Sequence, residues 1–247
     1  MQEKQKRVAL ITGSAQRIGK NVAQSLHHKG YDIIIHYCHS HAAAHALAKA
    51  LNVERKGSAT AYHCDLTNID SIEGFIGVAI NWKGRLDVLI NNASVFLPTD
   101  LVNFSEKDWD ILFTTNVKAP FCLSMHSFSH LAAHNGCIIN ITDIHAEKPL
   151  KGYSAYCQSK AALLMQTRAL ARELAPKVRV NAIAPGAIAW PEGINELPAT
   201  MKEKIIHETP LKRHGEPLFI SQAVLALIDN PFITGQILSV DGGRSLL

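Results

Sequence analysis

Short apolar runs alternate along the chain with longer stretches in which apolar residues return every three or four positions. The runs are VALIT (8–12), YDIIIHY (31–37), ATAYHCD (59–65), LDVLINNA (86–93), GCIINIT (136–142), VRVNAIAP (178–185) and the closing GQILSVDGG. Most are apolar at consecutive rather than alternate positions, which predicts strands buried on both faces. Between them the spacing predicts helices over 17–29, 42–51, 69–82, a long stretch over 107–134 in one or two pieces, and 153–175, where Pro176 stops the last. Two shorter helical patches precede the final run. Strands of this kind separated by helices form a parallel sheet covered on both sides. The expectation is one α/β domain over 1–247, without linker, repeat or low-complexity segment. The polar, proline-punctuated stretch 190–217 follows a strand's C-terminal end, where ligands bind in such sheets, and is expected to cover a substrate.

Composition narrows the class. Of 247 residues 47% are hydrophobic, enough for one sizeable core. The formal charge of +4 is scattered, with short basic clusters only at Lys4–Arg7 and Lys212–Arg213, which argues against nucleic-acid binding. No apolar run approaches the roughly 18 residues of a membrane span. The polar start MQEKQKR lacks the apolar core of a signal peptide. Five widely spaced cysteines form no CxxC or zinc spacing, so reduced thiols in a cytoplasmic protein are expected. The densest group among thirteen histidines is His36, His39, His41 and His45; it has no carboxylate partner, and no metal site is expected.

The first apolar run opens into TGSAQRIG (12–19). Gly13 and Gly19, with Ile18 beside them, stand where a strand-to-helix turn brings backbone N–H groups and a helix N-terminus to a pyrophosphate. With such a loop on the first crossover, the expected fold is Rossmann-like and doubly wound. Arg17 stands two before Gly19; its guanidinium is expected to lie across the pyrophosphate and reach the substrate cleft. The second run ends in HYCHSH, with no acid from His36 to His41 to accept the ribose hydroxyls of NAD. Next to His36 and Tyr37, His39 and Ser40 can donate to a 2′-phosphate, so NADPH is expected over NADH. Asp65, followed by Leu66, is placed to accept from an adenine amino group or to cap the next helix. Asn92, Ala93 and Ser94 after the fourth strand, and Pro185 and Gly186 after the sixth, complete the expected cofactor contacts.

YCQSK places Tyr156 and Lys160 four apart, on one helix face. A nearby ammonium favours the phenolate, so Lys160 is expected to lower the phenol's pKa and make Tyr156 a usable proton donor near neutral pH. In order along the chain stand TGSAQRIG, CDL, NNAS, TTNVKAP, YSAYCQSK, RVNAIAPG and SVDGG. With these motifs the sequence from Arg7 to Leu247 resembles a short-chain dehydrogenase/reductase. The resemblance implies hydride transfer from a nicotinamide cofactor, Tyr156 as acid, and Lys160 bound to the ribose. It also implies that Asn116 supports a water-linked proton path, and that the protein is a homotetramer.

One position departs from that pattern. The family's third catalytic residue is usually a serine thirteen or so residues before the tyrosine, and here that position is Asp143, in NITDIHA. A hydroxyl donates to the oxyanion of a carbonyl under reduction, whereas an ionised carboxylate repels it. Asp143 suits a C=N bond that needs a proton on nitrogen, relayed through Tyr156 and water; the alternative is that Thr142 takes the serine's role. Arg17, HYCHS, NNASVF, Asp143, GYSAYCQSK and DGGRSL together resemble the pteridine reductase branch, and its short bacterial members acting on dihydromonapterin or dihydrofolate most of all. That resemblance implies a pterin held between nicotinamide and Phe96, Ser94 touching cofactor and substrate, and Trp190 lining the pocket. The expected reaction is NADPH-dependent reduction of a 7,8-dihydropterin or dihydrofolate, with Arg17, Ser94, Phe96, Asp143, Tyr156 and Trp190 around the ring. A carbonyl reductase of 3-oxoacyl thioesters would carry a serine at 143 and usually a glycine at 17. A non-catalytic NADP(H)-sensing scaffold would not need Tyr156, Lys160 and Asn116 together.

Overall fold

Seven parallel strands form one sheet in the order β3-β2-β1-β4-β5-β6-β7: β1 Val8–Ile11, β2 Asp32–Tyr37, β3 Ala59–His63, β4 Val88–Asn91, β5 Cys137–Ile141, β6 Arg179–Pro185 and β7 Ile237–Val240. The computed structural model describes residues 6–190 and 193–247, apart from the side chain at 194; the Lys4 end of the first basic cluster and residues 191–192 of the expected covering segment lie outside it. Every residue of β1, β2, β4 and β5 is buried, the expected consequence of consecutive apolar positions. Alternate side chains then feed two separate cores. Ala9 and Ile11 of β1 face one, while Val8 and Leu10 face the other.

On the first face lie α1 (Arg17–His28), α2 (His41–Glu54) and α8 (Pro217–Asp229), anchored by Val22, Leu26, Leu47, Leu51 and Val224. On the second lie α3 (Ser71–Asn81), α5 (Ala119–Ala133) and α6 (Ser154–Glu173), anchored by Ile72, Ile76, Leu123 and Leu170. The layers and the doubly wound order are those expected from the periodicity, and no described helix is long and apolar enough to cross a membrane. The edge strands β3 and β7 are only partly buried, in keeping with their mixed sequences.

The long stretch 107–134 resolves into α4 (Glu106–Phe113), a π-helical turn (Thr114–Lys118) and α5, continuous with one another. Ser105 caps α4 by accepting from the Asp108 N–H at 3.1 Å. The wide turn carries Asn116 inward, fully buried. In 190–217 the described residues include α7 (Ala199–Glu208), which buries no residue. The strand order reverses beside β1, between β1 and β4, and the C-terminal strand ends there open onto a cleft.

Candidate active site

The cleft has a volume of about 830 Å³. Its floor is the glycine turn after β1. Gly13 adopts φ +61°, and a Cβ there would lie 3.0 Å from the Ala93 Cα. A Cβ on Gly19 would lie 2.6 Å from both Asn92 Nδ2 and the Gly13 carbonyl. Both glycines are therefore required by close packing against the end of β4. Thr12 Oγ1 accepts from the Asn92 and Ala93 N–H groups at 2.9 and 3.0 Å, and Asn92 Nδ2 donates to the Thr12 carbonyl at 2.8 Å. Helix α1 has no side-chain cap and no acid in its first turn, so its N–H groups and positive dipole end face the cleft. This cradle fits the pyrophosphate of a dinucleotide.

Arg17 and Ile18 line the cleft. Arg17 itself adopts φ +52°, and its Nη2 donates to the carbonyls of Ala189 (3.1 Å) and Trp190 (2.6 Å). The guanidinium thus joins the glycine turn to the chain leaving β6, at the boundary between the cradle and the outer cleft. Pro185 and Gly186 line the same wall. Trp190 stacks on His214, ring centroids 4.3 Å apart.

Three expected cofactor contacts are placed elsewhere. His36 is buried beneath the glycine turn: its Nδ1 accepts from the Gly13 N–H at 3.0 Å and its Nε2 pairs with the Cys64 carbonyl at 2.9 Å. Burial lowers its pKa to about 4, so it is a neutral strut. Leu66 is buried in the core under α3. Asp65 closes its own turn by accepting from the Thr67 N–H and hydroxyl at 2.9 and 2.8 Å, hydrogen bonds that hold its carboxyl below the usual range. It neither lines the cleft nor caps α3, which starts at Ser71. Tyr37, His39 and Ser40 do line the cleft, with Cys38 among them.

The groups expected to react converge from β5 and α6. Tyr156 donates its phenolic hydrogen to Asp143 Oδ2 at 2.7 Å, while Asp143 Oδ1 accepts from the His145 N–H at 2.8 Å. That second bond starts a single 3₁₀ turn, Ile144–Ala146, and holds the carboxylate in place. Lys160 is buried, donates to the Ile141 carbonyl at 3.1 Å and lies 5.8 Å from the Tyr156 ring centre. The shift of the phenol runs opposite to the expected lowering. Burial first, and the Asp143 charge second, push the Tyr156 pKa well above its ordinary value. Burial also lowers Lys160 to about 8, against the pull of Asp143. The resting state is therefore a firmly protonated phenol donating to a carboxylate. Thr142 is not free to replace the missing serine, because its hydroxyl donates to the Ile183 carbonyl at 2.9 Å.

Asn116 lies behind the site and does not line the cleft. Its Nδ2 donates to the Val95 carbonyl and to Ser159 Oγ, both at 3.0 Å. Its Oδ1 accepts from the Val95 N–H at 2.9 Å and the Ser94 hydroxyl at 3.1 Å. With these contacts it fastens the Ser94–Val95 segment to α6. Ser94 and Phe96 do reach the cleft. The Phe96 ring stacks on Tyr153 at 4.4 Å and 4°, and meets the Tyr156 ring edge-on at 4.7 Å.

Tyr153 and Asn195 went unnoticed in the sequence. Asn195 donates to the Phe96 carbonyl at 2.8 Å and accepts from the Tyr153 hydroxyl at 2.9 Å, clamping both aromatic residues from the far side of the cleft. Tyr153 was within reach of the sequence, standing three before Tyr156 at the position just before α6 begins. Asn195 carries no local signal, since its role depends on a contact 99 residues away.

A family model described as Enoyl-(Acyl carrier protein) reductase matches residues 13–245. Among curated relatives, a putative ketoacyl reductase 2 of the granaticin polyketide synthase of Streptomyces violaceoruber is 34% identical, over 97% of this chain and 96% of its own. A 3-oxoacyl-[acyl-carrier-protein] reductase of Staphylococcus epidermidis is 32% identical, over 95% and 97%. Pteridine reductase 1 of Leishmania tarentolae is likewise 32% identical, over 97% and 96%. Full-length similarity of this kind, on the glycine cradle and the Tyr156–Lys160 pair just described, places the chain in the short-chain dehydrogenase/reductase family of nicotinamide-dependent oxidoreductases.

Proposed function

We propose that the chain is an NADPH-dependent pteridine reductase, taking a 7,8-dihydropterin or dihydrofolate to its tetrahydro form. The observation that carries this reading is the 2.7 Å hydrogen bond from Tyr156 to Asp143. Carbonyl reduction needs a donor at that position for a developing oxyanion, and an ionised carboxylate is the reverse of one. Reduction of a ring C=N bond needs a proton on nitrogen instead. Tyr156 delivers that proton, and Asp143 fixes the hydroxyl and passes a proton in from solvent. The bound nicotinamide supplies the hydride. Lys160 steadies the ribose, Arg17 and Ser94 border the ring, and the Phe96 face receives it. No acid stands at 36–41, and His39 and Ser40, which could donate to a 2′-phosphate, line the cleft at the end of β2, which supports NADPH. The five described cysteines are unpaired, which suits a cytoplasmic setting. Exposed Met165 on α6 and Phe232 and Leu238 near the C-terminal strand offer apolar faces for a homotetramer. Residues of 190–217, Asn195 and Met201 among them, line the cleft and cover the substrate.

The names of several relatives favour a second reading, reduction of 3-oxoacyl thioesters. One assay decides between them: NADPH oxidation followed with dihydrobiopterin, dihydromonapterin, dihydrofolate and acetoacetyl thioester in parallel. The expected order puts a dihydropterin or dihydrofolate at least about tenfold ahead of the thioester in kcat/KM, a difference of about 1.4 kcal/mol. A faster thioester overturns the reading. In the same assay NADPH is expected to outpace NADH at equal concentration.

Asn195 should act on ring binding rather than on proton transfer. Asn195→Ala removes both hydrogen bonds that hold the Phe96–Tyr153 stack. At about 1 kcal/mol net for the pair, KM for the ring substrate is expected to rise about five- to tenfold. The kcat and the NADPH dissociation constant should hardly change. A fall in kcat with KM constant would show that Asn195 serves the chemistry instead.

A further inference from the structure

Away from the cleft, at the opposite end of the sheet, the C-termini of α1 and α2 bring His27, His28 and Glu54 together. His27 is 2% exposed, and its Nδ1 has no hydrogen-bond partner. This atom lies 3.4 Å from Glu54 Oε2, and His28 Nε2 lies 3.2 Å from the same oxygen. The three candidate donor atoms are all within 4.8 Å of one another.

The tautomer of His27 sharpens the picture. Its Nε2 lies 2.7 Å from Ser58 Oγ. The Ser58 hydroxyl already donates to the Arg55 carbonyl, so it accepts from His27 Nε2–H. Nδ1 is then a bare lone pair, buried and aimed at a carboxylate. Two lone pairs facing each other without a cation between them repel. We propose that His27 Nδ1, His28 Nε2 and Glu54 Oε2 form a binding site for a divalent transition-metal ion of the zinc class.

The dimensions suit that ion. Bonds of roughly 2.0–2.1 Å arranged tetrahedrally place ligand atoms about 3.3 Å apart, which lies between the two observed separations of 3.2 and 3.4 Å. Two imidazoles and one carboxylate are a zinc-type donor set, leaving a fourth position for water. Ser58 orients His27 as an outer-shell partner does in such sites. Both helices present their negative dipole ends to the cluster. The cation facing it is Arg55, which donates to the His27 carbonyl at 3.0 Å, and its charge is offset by Asp32 Oδ1 at 3.3 Å. The side chains of His28 and Glu54 are 64% and 49% exposed, so the ion has an open path. The expectation of no metal rested on the histidines of 36–45. This site draws on a different pair, with a glutamate on another helix, and no short spacing motif announces it. Its role is structural: it ties α1, α2 and the turn into β3 together, remote from the reacting groups.

Zinc titration of the chelator-treated full chain, in competition with a chromophoric chelator, tests the proposal. Wild type is expected to take up one equivalent that His28→Ala and Glu54→Gln each lose. Both replaced side chains are about half exposed or more, so folding should survive, whereas His27 is too buried for a clean test. Ser58→Ala should weaken zinc binding by about tenfold or more. Zinc should raise the apparent melting temperature of wild type by about 2 °C or more and leave both ligand variants unmoved. NADPH oxidation should be the same in all three chains. Absence of zinc uptake by wild type at micromolar concentrations overturns the site. Unchanged stoichiometry and affinity in both variants overturns it as well, by placing the zinc on other histidines.

Discussion

Asp143→Ser is expected to lower kcat/KM for dihydropterin by about 10²- to 10⁴-fold, the usual worth of a positioned acid–base group. Reduction of an acetoacetyl thioester should hold steady or rise in the same variant. Serine can still accept from the His145 N–H, as the carboxylate now does at 2.8 Å, so the 3₁₀ turn after β5 should persist. What disappears is the negative charge that receives the Tyr156 hydrogen bond. The phenol's pKa should fall in consequence, because Asp143 is one of the causes that raise it. The new hydroxyl can donate to an oxyanion, which a ring nitrogen awaiting a proton does not need. The two substrates therefore move apart for a chemical reason, and general damage to the fold would lower both together. Equal losses on both substrates, or undiminished dihydropterin reduction, remove Asp143 from the proton path.

The parts legible in the sequence are those that local physics dictates. A strand buried on both faces must be apolar at consecutive positions, so β1, β2, β4 and β5 were readable residue by residue. Gly13 and Gly19 were readable because only glycine admits the approach of Ala93 and Asn92. Asp143 stood out only because the family resemblance marks the position thirteen residues before Tyr156, whereas Tyr156 and Lys160 were readable because they share one helical face. His36 was not: in HYCHSH it looks like its neighbours, and only the alternation of strand faces turns it under the glycine turn while His39 reaches the cleft. Nor does the sequence show that a short turn at Thr67 engages one Asp65 oxygen and that the core takes the Leu66 side chain. The sign of the Tyr156 shift was out of reach too. Spacing shows that Lys160 shares its face, but not that the phenol is buried and donates to a carboxylate. Asn195 and the His27–His28–Glu54 cluster depend wholly on distant segments meeting.

Tyr156→Phe is expected to cost about 10²- to 10⁴-fold in kcat with every substrate, while NADPH binding persists. Phenylalanine keeps the edge-on contact with Phe96 and the packing of α6, and loses only the hydroxyl. The acid is thereby removed and Asp143 Oδ2 is left without its partner. Asp143 is only partly buried and lines the cleft, so leaving that oxygen unpaired should cost no more than about 1 kcal/mol in stability, and the melting temperature should fall slightly. Adding Asp143→Ala should restore part of that stability and lower turnover no further, because two groups that share one proton fail as a unit. A further large drop in the double variant would mean that the carboxylate acts independently of Tyr156. The pH dependence separates chemistry from folding once more. Lys160 is lowered by burial to about 8 from an ordinary 10.5. Between these values the unfolded chain binds more protons at this residue than the folded one, so its contribution to stability grows as pH rises. The wild-type kcat/KM should move oppositely, falling above about pH 8 as the ammonium that steadies the ribose is lost. Bound cofactor adds negative charge beside Lys160, so the limb in kcat should lie at higher pH than the limb in kcat/KM. In Tyr156→Phe the residual rate should keep that same alkaline limb in kcat/KM, because Lys160 and not the phenol sets it. Its disappearance in the variant would assign the titration to Tyr156.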